Sequence, residues 1–370
     1  MAPTLDLEAR ATLRSKCRRL GHHFPQTPAK ALSALARWCE ERELTWDHYG
    51  VGLVLEELEA DIAGRFEKPA ALFLPTGTMA QQIALKLWSE EAGTKRIAVP
   101  PHSHLELHEH DAHTVLSGLD PQALGVFERV PTAADLAAVA DPLAAVLIEL
   151  PAREIGGKLP TWEQLEEFVT AARARNIRVH LDGARAFEAA SGYGCSLPEL
   201  GALFDSIYIS LYKGIGGFAG AILMGEKDWI EEARLWKRRF GGDPITLLPF
   251  AASAHMHLDL RASRMDDYTA RSRELAQAFS AIKGVTVDPP EPRVNMMHLV
   301  LDAPRDAVIQ ARDEVAQATG LWLLNDPRTS LASDPADSSR IELTVGDATL
   351  SVAVEEAAAA LADLVRRAQL

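Results

Sequence analysis

The sequence predicts an α/β protein with a mostly parallel sheet flanked by helices in a large domain, followed by a smaller C-terminal α/β domain. Three observations carry this. Short β-rich apolar runs alternate with helical patterns from "AALFLPTG" (70–77) to "AGAILMG" (219–225), which implies strands covered on both faces. Around "DPITLLPFAASA" (243–254) the pattern changes to long helices, after which a shorter α/β set begins. The 370 residues, 47% hydrophobic, suffice for one large core and a second, smaller one.

Residues 1–45 are charged and Ala-rich and read as an arm and a helix, broken by "GHHFPQTP" (21–28). Residues 46–260 form the large domain. "LEELEADIAGRF" (55–66) has the apolar spacing of an amphipathic helix. "AALFLPTG" reads as a strand entering a turn, and "TMAQQIALKLWSEEA" (78–92) as the helix that leaves it. "RIAVPP", "AAVLIELP", "IRVHLD", "SIYISLYK" and "AGAILMG" supply further strands, with "WEQLEEFVTAARARN" (162–176) as an intervening helix. The domain over 261–370 holds the helix "DDYTARSRELAQAFSAIKG" (266–284), the strands "MMHLVLDA" and "IELTVG", a helix over 305–318 and a closing helix over 351–368. "NDPRTSLASDPADSSR" (325–340) reads as a loop.

The net charge of −14 argues against a nucleic-acid partner, since phosphate binding needs surplus Lys and Arg. No apolar run is long enough to span a bilayer, and no secretory segment opens the chain. Cys17, Cys39 and Cys195 suggest neither a disulfide framework nor a Cys-based metal site. A cytoplasmic protein is expected.

The chemistry centres on "SLYKGIGGFAGAIL" (210–223), where Lys213 lies between a strand and a loop of glycines. "GIGGFA" (214–219) fits a dinucleotide fingerprint in letters only, because a strand and not a helix follows it. A desolvated lysine suits Schiff-base chemistry instead: burial disfavours the ammonium, and the free amine attacks a carbonyl. Glycines beside it would let a bulky cofactor approach the backbone. Asp182 ends the strand "IRVHLD", at the sheet edge where α/β ligands sit, and could pair with a pyridinium nitrogen. "LPTGTMAQQ" (74–82) places Gly77 and Thr78 at a helix start, where free amides meet an anion such as phosphate.

Together "LPTGTMAQQIAL", "HLDGAR" and "LYKGIGGFAGAIL" resemble the threonine aldolase and β-eliminating lyase group of pyridoxal-phosphate enzymes, with the fold type I (aspartate-aminotransferase-like) architecture. Supporting stretches are "YGVGLVLEELE", "YGCSLPEL", "RVNMMHLVL" and "SSRIELTVG". The resemblance implies pyridoxal 5'-phosphate as cofactor, Lys213 as its Schiff-base lysine, Asp182 on the ring nitrogen, and Gly77 and Thr78 on the phosphate. It also implies a homodimer or homotetramer with shared active sites. In "HSHLELHEHDAH" (102–113) it places His104 over the ring, where the imidazole stacks and relays protons, and Glu109 matches a family acid. Histidines at i and i+4 can also share a metal, the less favoured reading, and no metal is expected. Arg185 is close enough to Asp182 to enter the same site. Arg340 matches the substrate-carboxylate arginine, whose fork takes two charge-assisted hydrogen bonds. Tyr49 lines the site from one subunit or the other.

Three stretches depart from the family pattern. The histidine-bearing "ENTH" region is replaced by "ELPAREIGGKLP" (149–160), leaving Arg153 or Glu154 in that space. "GGGMRQ" becomes "GGDPIT" (241–246), so Ile245 stands where an arginine would help hold phosphate, with Lys237 or Arg238 as substitutes. "CRRLGHHF" (17–24) replaces the N-terminal "DLRSDT". The expected activity is cleavage of L-threonine or a related β-hydroxy-α-amino acid to glycine and an aldehyde, with His104 as base; the alternative is elimination of a β-substituent from another amino acid.

Overall fold

The computed structural model describes residues 5–369 and divides into two units: Gln26–Arg264, and a second that joins residues up to Pro25 with those from Met265 onward. Strands are numbered along the chain. β1 (Arg18–Arg19) precedes the larger unit, which holds β2 (Ala70–Leu74), β3 (Arg96–Val99), β4 (Asp120–Ala123), β5 (Ala145–Glu149), β6 (Arg178–Asp182), β7 (Ser206–Ser210) and β8 (Ala221–Gly225). After it come β9 (Val285–Asp288), β10 (Met296–Leu301), β11 (Leu321–Trp322) and β12 (Ser339–Thr344).

In the larger unit the order across the sheet is β2-β8-β7-β6-β5-β3-β4. β4, β3, β5, β6 and β7 run parallel, and β8 is antiparallel to both β7 and β2. β5 and β7 are buried at every residue, as parallel strands covered on both faces should be. β8 reverses direction because it follows β7 through a loop with no crossover helix, and such a connection joins antiparallel neighbours. β4 escaped the sequence reading. Its residues, Asp-Pro-Gln-Ala, carry no strand signal, and only the sheet's edge tolerates a proline there.

The helix Gly77–Ala92 does most to fix the site. Thr76 caps it, its side chain accepting a hydrogen bond from the Met79 amide, and Gly93 ends it in the left-handed region at φ 66°. Ala80, Ile83, Ala84, Leu87 and Trp88 repeat at helical spacing and are buried, joining Leu72, Leu147, Tyr208 and Leu223 in one core.

The smaller unit has an antiparallel sheet, β12-β10-β9, and the helices Met265–Ser280, Arg305–Thr319 and Val354–Ala368. The closing helix expected over 351–368 begins at Val354, after a short separate turn at Asp347–Leu350. The N-terminal stretch divides: β1 pairs with β11 in the smaller unit, whereas the helix Pro28–Glu41 belongs to the larger. Among the described residues no helix is long and apolar enough to cross a membrane.

Leu147 in β5 is wholly buried, whereas Leu235 on the helix Lys227–Arg239 is half exposed. Leu147→Ala should therefore cost about 2–5 kcal/mol in urea denaturation, and Leu235→Ala less than about 0.5 kcal/mol.

Candidate active site

Parallel pairing aligns Glu149 and Asp182, the last residues of β5 and β6, in one row with Tyr208 in the middle of β7. The strand order changes direction between β3 and β5, which opens a crevice at that end of the sheet. Glu149 spans it. Its buried carboxylate accepts hydrogen bonds from the backbone amides of His104, which opens the short helix after β3, and Arg153, which opens the single helical turn after β5, each at 2.9 Å. His104, Glu149, Arg153, Asp182, Arg185 and Lys213 line one cleft.

Asp182 is buried, and both of its oxygens take donors: the Gln81 side-chain amide at 2.6 Å and the Ala184 backbone amide at 3.1 Å. Loss of water and then the neighbouring Glu149 charge push its pKa up to about 7, against the opposing pull of Lys213 and His104. Beneath it lies buried His180, with Nε2 2.7 Å from Gln81 Oε1 and Nδ1 2.8 Å from Ser206 Oγ. Burial lowers His180 to about 3, so the imidazole is neutral.

Lys213 follows β7 by three residues, and its amine forms no hydrogen bond or ion pair among the described residues. Its pKa is lowered, first by desolvation and then by the Arg185 charge. Disfavouring the ammonium makes the amine a better nucleophile. The glycines beside it serve protein packing. A Cβ on Gly214 would fall 2.1 Å from Glu188 Oε1, and one on Gly220, at φ +107°, 2.5 Å from the Phe73 ring. Close approach by a cofactor is therefore not what requires glycine at these two positions; the protein neighbours Glu188 and Phe73 are.

His104 Nδ1 meets Glu109 Oε1 at 3.1 Å; Glu109 is buried and takes a second hydrogen bond from Gln82, which Ser117 in turn holds. His108 Nε2 instead meets Glu154 Oε1 at 2.9 Å, and Arg153 donates to the same oxygen. Among the described residues no group of three His, Cys, Asp or Glu side chains is placed to hold a metal. Arg153 and Glu154 both occupy the cleft wall.

Gly77 and Thr78 open the helix Gly77–Ala92, outside the residues that line the cleft. Their amides take no partner among the described residues, while that of Met79 is held by Thr76. A Cβ on Gly77 would lie 2.1 Å from Tyr208 Oη. Tyr208 therefore links the helix start to the row that contains Asp182.

Arg185 precedes the helix Ala186–Tyr193 and has no hydrogen bond or ion pair among the described residues. Arg340 lies in β12 of the smaller unit, buried, with its guanidinium bound to both oxygens of Asp334 and, at 2.9 Å, to Asp288. Tyr49 is exposed at φ 51°; its amide donates to the Ile245 carbonyl, and the Arg238 guanidinium lies 5.1 Å from its ring centre. Lys237 is buried in an ion pair with Asp243 at 3.0 Å, so its charge is already spent. Gln81, Gln82, Glu149, His180 and Tyr208 are what the sequence reading missed. A faint signal existed: two adjacent glutamines in the otherwise apolar "TMAQQIALKLW", and an acid ending the apolar run "AAVLIE".

A family model described as β-eliminating lyase matches residues 35–302. A probable low-specificity L-threonine aldolase of Arabidopsis thaliana is 26% identical over 288 residues, covering 75% of this chain and 79% of that protein. The low specificity L-threonine aldolase of Escherichia coli is 34% identical over 200 residues, 51% of this chain and 56% of that one. A solved structure from Listeria monocytogenes with a provisional L-allo-threonine aldolase name superposes with a TM-score of 0.87 at 37% identity, covering 97% of this chain and 98% of that chain.

The two buried titrating groups push stability in opposite directions. Asp182 titrates near 7 when folded and near ~3.9 when unfolded, so the folded state holds the proton more tightly and this group makes stability fall as pH rises from about 4 to 7. His180, about 3 when folded and ~6.5 when unfolded, makes stability rise over about pH 3 to 6.5. Asp182→Asn removes only the first, so the cofactor-free variant should gain stability with pH more steeply than wild type in urea titrations. Parallel curves would show that the carboxyl does not pay for its burial.

Proposed function

The chain belongs to the β-eliminating lyase family, and from that premise we propose that it cleaves L-threonine or a related β-hydroxy-α-amino acid to glycine and an aldehyde. It is a pyridoxal-phosphate-dependent lyase of fold type I. One observation carries the reading: the unpaired, desolvated Lys213 amine shares a cleft with Asp182 and His104.

The residues suit the cofactor. Lys213 offers an amine to its aldehyde, the free amides of Gly77 and Thr78 at the positive end of a 16-residue helix suit its phosphate, and Asp182 suits its ring nitrogen. When bound, pyridoxal phosphate supplies an electron sink for the pair released as a bond at the substrate's Cα breaks. The remaining work belongs to this chain. Asp182 as carboxylate holds a proton on the ring nitrogen, and that cationic partner in turn draws its own pKa down. Arg185, with donors to spare, takes the substrate carboxylate and so sets which Cα bond is aligned for cleavage. The Arg340 guanidinium, by contrast, is already held by Asp334 and Asp288.

Glu109 accepts at His104 Nδ1, which leaves Nε2 as the lone pair that removes the β-hydroxyl proton. We also read the protein as a cytoplasmic homo-oligomer with shared active sites. Exposed Trp46, Tyr49, Val51 and Leu53 in one stretch, and cysteines that form no disulfide, support this. Tyr49 would then serve the site of the same or a neighbouring subunit.

Purified protein mixed with pyridoxal phosphate and L-threonine or L-allo-threonine should release acetaldehyde and glycine in equal amounts. Keto acid and ammonia without glycine would assign the β-eliminating reaction instead, and no aldehyde from any β-hydroxy amino acid would reject the aldolase. Lys213→Ala should abolish turnover. His104→Phe keeps a flat ring but no proton acceptor, and kcat should fall about 10²–10⁴-fold.

A further inference from the structure

We propose that Gln81, His180 and Ser206 form a one-way chain of hydrogen bonds that aims a donor at Asp182 and keeps it a carboxylate for the ring nitrogen of the cofactor. They act as positioning residues, and the proposal rests on the pairing of Asp182 with that nitrogen.

The chain has four links. Trp88 Nε1 lies 2.8 Å from Ser206 Oγ, Ser206 Oγ 2.8 Å from His180 Nδ1, His180 Nε2 2.7 Å from Gln81 Oε1, and Gln81 Nε2 2.6 Å from Asp182 Oδ2. All five side chains are buried, so no water intrudes to reset a link. The direction follows from the donors each group owns. Indole N–H can only donate, so Ser206 must accept from Trp88. In the proposed direction Ser206 places its single proton on His180 Nδ1, against the alternative in which the imidazole donates to the nearby Ser206 backbone carbonyl. A neutral imidazole accepting at Nδ1 must donate from Nε2, which turns the Gln81 carbonyl toward His180 and its NH2 toward Asp182.

The reverse direction needs three changes together: a protonated Asp182 donating to Gln81, a flipped amide, and a His180 proton on Nδ1. Ser206 would then accept from both neighbours, and its own proton would have to leave the chain. A donor-only group at the far end therefore selects the arrangement in which the near end is an anion. This matters because burial and Glu149 both favour protonation of Asp182. The Gln81 donor works against them, and hydrogen bonds in a dry chain reinforce one another. Chain neighbours could not supply this arrangement: Gln81 comes from the helix Gly77–Ala92, His180 and Asp182 from β6, and Ser206 from β7.

Two measurements test this. In cofactor-free protein labelled with ¹⁵N-histidine, His180 should appear as the neutral Nε2–H tautomer; an Nδ1–H tautomer overturns the chain. In protein reconstituted with ring-¹⁵N pyridoxal phosphate, the ring nitrogen should move toward its unprotonated shift in Gln81→Met and His180→Phe. His180→Gln, which restores a donor toward Gln81, should return it. Cofactor affinity should fall about tenfold or more in the first two variants. A thermal melt of each variant separates loss of folding from loss of alignment. If Asp182→Asn shifts the ring nitrogen but Gln81→Met, still folded, does not, the chain has no positioning role. If Asp182→Asn leaves the ring nitrogen unmoved, the underlying pairing fails and the proposal falls with it, while the tautomer still reports whether the chain itself exists.

Discussion

A carboxylate withdrawn from water at the end of β6 sets the terms for everything around it. Asp182 has exchanged hydration for fixed donors, and an ion in such a place survives only with partners. Its position on the strand is dictated by sheet geometry: at the carboxyl end of a parallel strand the backbone stops pairing and turns away, leaving a crevice. Glu149 occupies the matching place on β5, so two acids stand side by side. Each is steadied differently. Glu149 spends its oxygens on the amides that open two short helical turns and so shapes the crevice, while Asp182 keeps lone pairs available for a ligand.

The helix Gly77–Ala92 does three things at once. Its first turn leaves two amides unbonded at its positive end. One turn further on, Gln81 reaches Asp182 and Gln82 reaches Glu109. Its apolar face anchors all of this in the core through Ile83, Ala84 and Leu87. Two free amides, a support for Asp182 and, through Glu109, a support for His104 are therefore held by one helix. That suits chemistry in which a phosphate, a ring and a reacting bond must keep fixed separations.

Charge in the cleft is nearly balanced. Lys213, Arg153 and Arg185 face Asp182, Glu149 and Glu154. Arg153 and Glu154 neutralise each other, so the free cationic capacity lies at Arg185 and Lys213. The Arg185 charge, after desolvation, lowers the pKa of Lys213. The same repulsion favours an incoming anion, because a carboxylate on Arg185 relieves it. The loop at 149–160, which departs from the family pattern, thus contributes to the wall an ion pair that also engages His108.

Much of this was legible in the sequence. The alternation of apolar runs and helical patterns, the strand–turn–helix at Gly77, the acid closing "IRVHLD" and the lysine after "SIYISLY" are local features, set by side-chain period and turn chemistry within a few residues. Local rules therefore located Lys213, Asp182 and Gly77 along the chain, and the family resemblance added His104. They could not reach the link between Gln81 and His180, 99 positions apart, or the one between Trp88 and Ser206, 118 apart. Such contacts depend on strand register and on which helix crosses which strand, and a shift of one residue would turn each side chain to the opposite face. Nor could they see that Arg340 is already committed to Asp334 and Asp288, since the worth of an arginine as a receptor depends on what it already holds. The sequence by itself determined which groups could do the chemistry; the tertiary structure decided which were free to do it, because partners, burial and hydrogen-bond direction are properties of neighbours in space.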